Sequence, residues 1–297
     1  MTLTENAPII DIQHNGMGDV VVACWIVHSA AAVGIHVRIN TRERRDVANL
    51  LGVQDDCLTT EESPDKSSTP GNGHLEFELA RTHPVPRFDA WCRSVNLPHL
   101  TPVRPRYCEL SEHGDWADKA WRTVNADPST PRVLLFPEAA WPIRAWPRAY
   151  FMDLASDLVR AGWAVAAIGD SQASVNYMPC PWWGGFGVRH AAAMAKRATV
   201  VVANESGPSH LASALGVRTI SICGPTDPWI VFGHEPNVQP AILDSSVLAC
   251  VRCHFLDTKG YRAACHVGGC QALMRLDPAT VGALVQRAVV EERDRGR

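Results

Sequence analysis

The sequence has almost no lysine: Lys66, Lys119, Lys196 and Lys259 are the only four among 28 basic residues in a chain of 297. That bias, with abundant alanine and tryptophan, points to a GC-rich bacterial genome and carries no mechanism. Net positive charge is also missing. At −3 the chain has no overall basic field, so neither nucleic acid nor anionic membrane is an expected partner. No apolar run reaches the roughly 18 residues that a membrane span needs, which argues against stable membrane insertion. The opening MTLTENAPIIDIQ lacks the basic stretch of a signal peptide, and a cytoplasmic location is expected. What remains is an ordinary globular composition, 46% apolar and 20% charged. The length fits about two domains.

Strands and helices alternate along the chain, the pattern of parallel α/β sheets. PIIDIQ (8–13) reads as a buried strand, and Asp19 opens an apolar helix ending near Gly34. IHVRIN (35–40) is a second strand, followed by a helix from Arg42 to Leu51. The polar stretch 54–74 reads as a loop, LEFEL (75–79) as a candidate third strand, and Phe88–Val95 and Trp116–Val124 as helices. NADPSTPR (125–132) looks like a linker, after which the pattern restarts. VLLF, WAVAAIG, TVVVA and RTISIC (133–136, 163–169, 199–203, 218–223) are strands. Pro147–Ala161, His190–Arg197 and His210–Leu215 are helices. The expected division is therefore an N-terminal domain 1–125 and a second domain 132–276. An amphipathic helix within 277–297 is expected to pack back on the first domain.

Three segments carry chemistry. Asn15-Gly16-Met17-Gly18-Asp19 joins a strand to a helix, where glycine permits a tight turn and the helix amino end favours an anion. Asp19 then sits at a strand's carboxyl end, placed to act as a general base or, more simply, to cap the helix. Val21 breaks the G-x-G-x-x-G pattern, which weakens a dinucleotide reading. The segment Pro137–Pro147 holds Arg144, a bidentate donor suited to phosphate or a surface arginine between two tryptophans. Asn204-Glu205-Ser206-Gly207-Pro208-Ser209-His210 places backbone N–H groups, a hydroxyl and an imidazole at a helix start. Glu205 is positioned to accept from ribose hydroxyls. The plain alternative is a capped helix with a locally satisfied histidine. Gly224-Pro225-Thr226-Asp227-Pro228 closes the next strand as a turn.

Together, NGMGDVVVA, PEAAWPIRAWP and VVVANESGPSHLASALGVRTISICGPTDP resemble glycosyltransferase family 9, the ADP-heptose:acceptor heptosyltransferases. The resemblance implies the GT-B fold, two Rossmann-like α/β domains with an interdomain active-site cleft. It also implies an inverting, metal-independent glycosyltransferase that needs no cofactor for catalysis. By position, Asp19 matches the catalytic base. The implied donor-binding set is Gly18, Pro137, Arg144, Glu205, Ser206, Gly207, His210, Thr226 and Asp227. Arg144 replaces the family's lysine, and Glu205 its aspartate. The expected partners are a nucleotide-sugar donor, with ADP the expected base, and a carbohydrate or glycosylated small-molecule acceptor. A nucleotide-sugar epimerase and a non-catalytic nucleotide-sugar-binding module are the alternatives.

Ten cysteines are many for such a chain. Four fall in one segment, as Cys250-x2-Cys253-x11-Cys265-x4-Cys270, with His254 and His266 alongside. The first pair has zinc-ribbon spacing. Metal, free thiols and disulfides all remain open. The metal reading predicts a structural zinc that holds the C-terminal segment away from catalysis.

Overall fold

The computed structural model describes residues 7–12, 16–41, 44–59, 85–169, 178–253, 265 and 269–296. The expected strand 75–79, Asn15 of the first motif, and His254 and His266 lie outside them. The chain divides into two compact units, 1–108 with 228–236, and 109–227 with 237–297.

In the first unit, β1 (Ile9–Asp11) pairs in parallel with β2 (Arg38–Asn40), Ile10 opposite Ile39. Between them runs α1 (Met17–Ala32), which starts two residues before the expected Asp19. Gly16 supplies its extended N-cap, and Asp19 in the first turn complements the helix dipole. Val20 to Ile26 are all buried, as befits a helix without a polar face. Gly34, at φ 78°, ends it in the left-handed region. The helices α2 (Arg45–Leu50) and α3 (Arg87–Ser94) pack on α1 around Trp25, Phe88 and Trp91. A short helix, Pro228–Phe232, returns from the far part of the sequence to pack on α3.

The second unit begins with α4 (Ser111–Val124), a helix the sequence division assigns to the first domain. Its small residues, Gly114, Ala117 and Ala120, let it lie against α6 (Val188–Lys196). Trp121 Nε1 donates to the Met194 carbonyl at 3.1 Å, and Arg197 reaches both Glu109 and Asp118. These contacts move the boundary to 108/109. The sheet is wholly parallel, in the order β5-β4-β3-β6-β7-β8. These strands are β3 (Arg132–Phe136), β4 (Ala164–Gly169), β5 (Trp182–Gly184), β6 (Val200–Asn204), β7 (Arg218–Ile222) and β8 (Val238–Ala241). Numbered within the unit, that is 3-2-1-4-5-6, the Rossmann order. The central strands are buried on both faces, hence the near-continuous Val, Leu and Ala runs.

Further helices are α5 (Arg148–Arg160), α7 (Gly207–Ala214), α8 (Gln271–Arg275) and α9 (Pro278–Asp294). The last was expected on the first domain. Instead its apolar stripe, Val281, Val285, Ala288 and Val289, joins the second unit's core, against α5, β6 and β7. Among the described residues no helix is long and apolar enough to cross a membrane.

Candidate functional site

The strand order of the second unit reverses between β3 and β6, and at such a switch point open α/β sheets bind ligands beyond the strands' carboxyl ends. Two of the sequence motifs begin there. Residues 137–147 follow β3, and residues 205–210 follow β6. Asn204, fully buried, ties the two together: its amide donates to the Pro137 carbonyl at 2.9 Å, and its oxygen accepts from Trp146 N–H at 2.9 Å. Sequence reasoning named Asn204 in its motif but gave it no role, because nothing local marks an asparagine whose partners lie 58 and 67 positions away.

Within that frame Arg144 and Glu205 meet. Arg144 closes a 3-10 turn, Pro142–Arg144, with its guanidinium 4.4 Å from the Trp141 ring centroid. Its Nη1 lies 3.2 and 3.1 Å from the two Glu205 carboxylate oxygens. Glu205 is buried and also accepts from the Thr226 hydroxyl at 3.0 Å. The structure thus brings Arg144, Glu205 and Thr226 into one network. Both oxygens of the Glu205 carboxylate are engaged within the protein, by Arg144 and Thr226.

The helix α7 starts where the chain turns. Ser206 is its N-cap, Pro208 sits in the first turn, and the Ser206 N–H donates to Ser209 Oγ at 3.3 Å. Ser209 Oγ donates back to the Ser206 carbonyl at 2.7 Å. The helix begins at Gly207, three residues before the expected His210, and His210 is buried in its first turn. Gly207 and the Ser206 cap therefore hold the amino end, where backbone N–H groups favour an anion. Cys223 lies beneath the network, its thiol pushed up by burial first and by the Glu205 charge second.

In the first unit the pair is Asp19 and Arg87. Asp19 lies in the first turn of α1, its carboxylate beside Gly16. Its Oδ1 lies 3.4 Å from Arg87 Nη1. Gly16 is required for this arrangement: a Cβ there would stand 2.6 Å from Asp19 Oδ2. Gly18 is buried within the same helical turn. Arg87, 68 residues away, was not legible as a partner.

Metal ligands were expected at the four clustered cysteines, whose thiols do not, among the described residues, form a group with ligand atoms within 4.8 Å of one another. The Cys253 thiol is pushed up to about 11 by burial, then by the charges of Cys270, Cys250 and Cys265. Cys270 is raised by burial, with Cys250 and Cys265 adding to it. The cysteine segment was expected to stand away from the site, but a Cβ on Gly224 would come within 2.9 Å of Cys270 Sγ, so Cys270 lies against the Gly224–Asp227 loop. Among the described residues, the group whose ligand atoms do lie within 4.8 Å of one another is His36, Asp56 and Cys57 in the first unit. A cavity of about 330 Å³ lies at the opposite, amino end of the sheet, lined by Arg132, Lys196, Arg197 and Arg218. Arg197 is committed to Glu109 and Asp118, and Arg218 to Glu291, so little of that charge is left for a ligand.

Residues 108–252 match the profile of glycosyltransferase family 9 (heptosyltransferase). The match starts where the second unit starts. Over 126 residues the chain is 30% identical to lipopolysaccharide heptosyltransferase 1 of Pseudomonas aeruginosa, covering 39% of this chain and 35% of that protein. The chain thus spans about a third of the length of that curated relative (35%). Its structure is similar to the glycosyl transferase family 9 protein of Veillonella parvula DSM 2008, with a TM-score of 0.66, 13% identity, and coverage of 98% of this chain and 99% of the other. It is also similar to TibC of enterotoxigenic E. coli, a dodecameric iron-containing heptosyltransferase solved with ADP-D-beta-D-heptose. There the TM-score is 0.63 and the identity 14%, covering 97% of this chain and 77% of the other. At such identities the likeness is one of fold, and the fold is GT-B, as the motifs imply.

Proposed function

We propose, for a chain whose residues 108–252 belong to glycosyltransferase family 9, an inverting transferase that moves a heptose or related sugar from an ADP-linked donor to an acceptor hydroxyl. One observation carries the reading. In the pair Glu205–Arg144 the Glu205 side chain is 2% exposed and that of Arg144 13%, whereas in Asp19–Arg87 the Asp19 side chain is 24% exposed and that of Arg87 5%. One pair presents a cation and the other an anion.

A presented cation beside a helix amino end suits a diphosphate. Arg144, the Ser206–Gly207 N–H groups and the Pro137 turn would hold it, with Glu205 and Thr226 fixing Arg144 from behind. A presented carboxylate suits a base. Asp19 would take the proton of the acceptor hydroxyl as that oxygen bonds to the anomeric carbon. The bond from that carbon to the diphosphate oxygen breaks, and the leaving diphosphate carries the charge that Arg144 is set to stabilise. Displacement from the face opposite the leaving group inverts the centre. No metal is required for this chemistry. The acceptor would be a carbohydrate or a glycosylated small molecule met in the cytoplasm. The family match favours transfer over epimerisation or binding alone.

The test is calorimetry with ADP, then ADP-heptose incubated with candidate acceptors and product read by mass. Binding of ADP that Arg144→Ala weakens supports the donor site. No binding of ADP, UDP or GDP would remove it.

A further inference from the structure

The first unit holds three metal-binding side chains that the transfer chemistry leaves unused: His36, Asp56 and Cys57. They come from two segments. His36 stands two residues before β2, while Asp56 and Cys57 belong to a 3-10 turn, Asp55–Cys57. Backbone bonds lay that turn beside β2. Cys57 N–H donates to the Gln54 carbonyl at 3.0 Å, and just beyond it Thr59 N–H donates to the Ile39 carbonyl at 3.0 Å. Leu58 forms a parallel bridge to Ile39. Of the two neighbouring aspartates, Asp55 is committed to Arg45 at 2.9 Å, and Asp56 is the one hydrogen-bonded to the Cys57 thiol.

The spacing suits a metal ion. Cys57 Sγ lies 3.9 Å from His36 Nδ1, and one ligand atom from each of the three residues lies within 4.8 Å of the other two. Around a tetrahedral zinc, with bonds of about 2.0–2.3 Å, ligand atoms stand about 3.5 Å apart, so the donors have about 1 Å to close. Asp56 is exposed and free to rotate into place. The second ring nitrogen of His36, Nε2, is buried without a hydrogen-bond partner among the described residues. Burial first and the Asp56 charge second push the Cys57 thiol up to about 11. A thiolate beside that carboxylate lacks a counter-charge, and a divalent cation supplies one.

We propose that His36, Asp56 and Cys57 bind one divalent transition-metal ion of the zinc class, which staples the 55–57 turn to the segment entering β2. Imidazole and thiolate select such an ion, whereas Mg²⁺ and Ca²⁺ take oxygen ligands. On binding, the ring gives a neutral nitrogen lone pair, the thiol releases its proton to solvent, and thiolate and carboxylate together balance the charge of the ion. Three protein ligands leave the fourth corner to water. The site takes no part in the transfer step and stands independently of it.

The probe is Zn²⁺ added to the whole metal-free protein, read as the alkylation rate of each cysteine by peptide mass. That readout separates Cys57 from the cysteines of the 250–270 segment. Zn²⁺ should protect Cys57, because a metal-bound thiolate is withdrawn from attack, and should leave the exposed Cys108 unprotected. His36→Gln and Asp56→Asn should each raise the zinc needed for half protection at least about tenfold, the scale on which even supporting residues of a metal site act. Mg²⁺ should not protect. Circular dichroism checks each variant's fold. Should His36→Gln fail to fold, Asp56→Asn, at an exposed position, decides alone. Equal Cys57 alkylation with and without Zn²⁺ overturns the site. So does protection unchanged in the folded variants, or protection by Mg²⁺ equal to that by Zn²⁺.

Discussion

The two units use the same chemical parts in opposite ways. Each sets one carboxylate against one arginine, and in each the more buried partner serves as anchor. Arg87 is buried in α3 beneath Asp19, while Glu205 is buried beneath Arg144. An ion pair is thus not a function by itself. Which member keeps access to solvent decides whether the site offers a proton acceptor or a charge stabiliser. Glu205 has a second donor in Thr226, and Arg144 packs on the Trp141 ring.

The comparison breaks most completely at Asp19. Asp19→Asn keeps the shape but removes the acceptor, and transfer should fall by about 10²–10⁴-fold with ADP affinity nearly intact. Single-turnover transfer beside an ADP titration measures both, and a loss under about threefold would leave Asp19 without that role.

Next in size is the buried anchor. Glu205→Ala strands the Arg144 charge, and unfolding in urea should show about 3 kcal/mol lost, the low end for breaking a buried pair because Arg144 keeps some water. Stability within about 0.5 kcal/mol of wild type would mean that the pair does not anchor the loop.

Arg144 sharpens the contrast at lower cost to the fold. Arg144→Ala should weaken ADP about ten- to a hundredfold, the value of a charge-assisted hydrogen bond. Arg144→Lys should regain only part, since an ammonium neither forks nor stacks flat on Trp141. Full recovery would reduce Arg144 to a point charge.

The smallest effect tests a histidine pair confined to the second unit. His190 meets His113 at 4.5 Å between ring centroids and packs on Trp116 and Phe186, with Glu112 3.8 Å from His113. Burial first, then the neighbouring His113, hold its pKa below the ordinary imidazole value. The folded state therefore binds that proton less readily than the unfolded chain. Its stability contribution is complete above the unfolded pKa and is lost as pH falls through that value toward the lowered one. Melting curves between about pH 7 and 5 should be flatter for His190→Gln than for wild type. Identical slopes would mean that His190 does not titrate across folding.

Much of the second unit is legible from local pattern. VLLF and VVVAN are runs that only a doubly covered parallel strand would bury, and Pro208 with its serines marks the start of α7. The edge strands are not legible. Trp182–Gly184 has three residues, and Val238–Ala241 contains Pro240, which an edge strand tolerates because one side of its backbone needs no partner. A third kind of miss came from amphipathicity: the stripe on Pro278–Asp294 shows that the helix must dock, but not on which core.

The sequence by itself determined the parts: parallel α/β architecture, glycines where the backbone must turn, an acid at the first helix and an arginine after the first strand of the second unit, and a thiol quartet at metal spacing. These follow from short-range periodicity and residue chemistry. Only the tertiary structure decided their roles. It put Arg87 under Asp19 across 68 positions and Glu205 under Arg144 across 61, and it brought the cysteine segment against Gly224–Asp227. Burial and partnership depend on which distant segments share a core, and no local pattern in the chain encodes that.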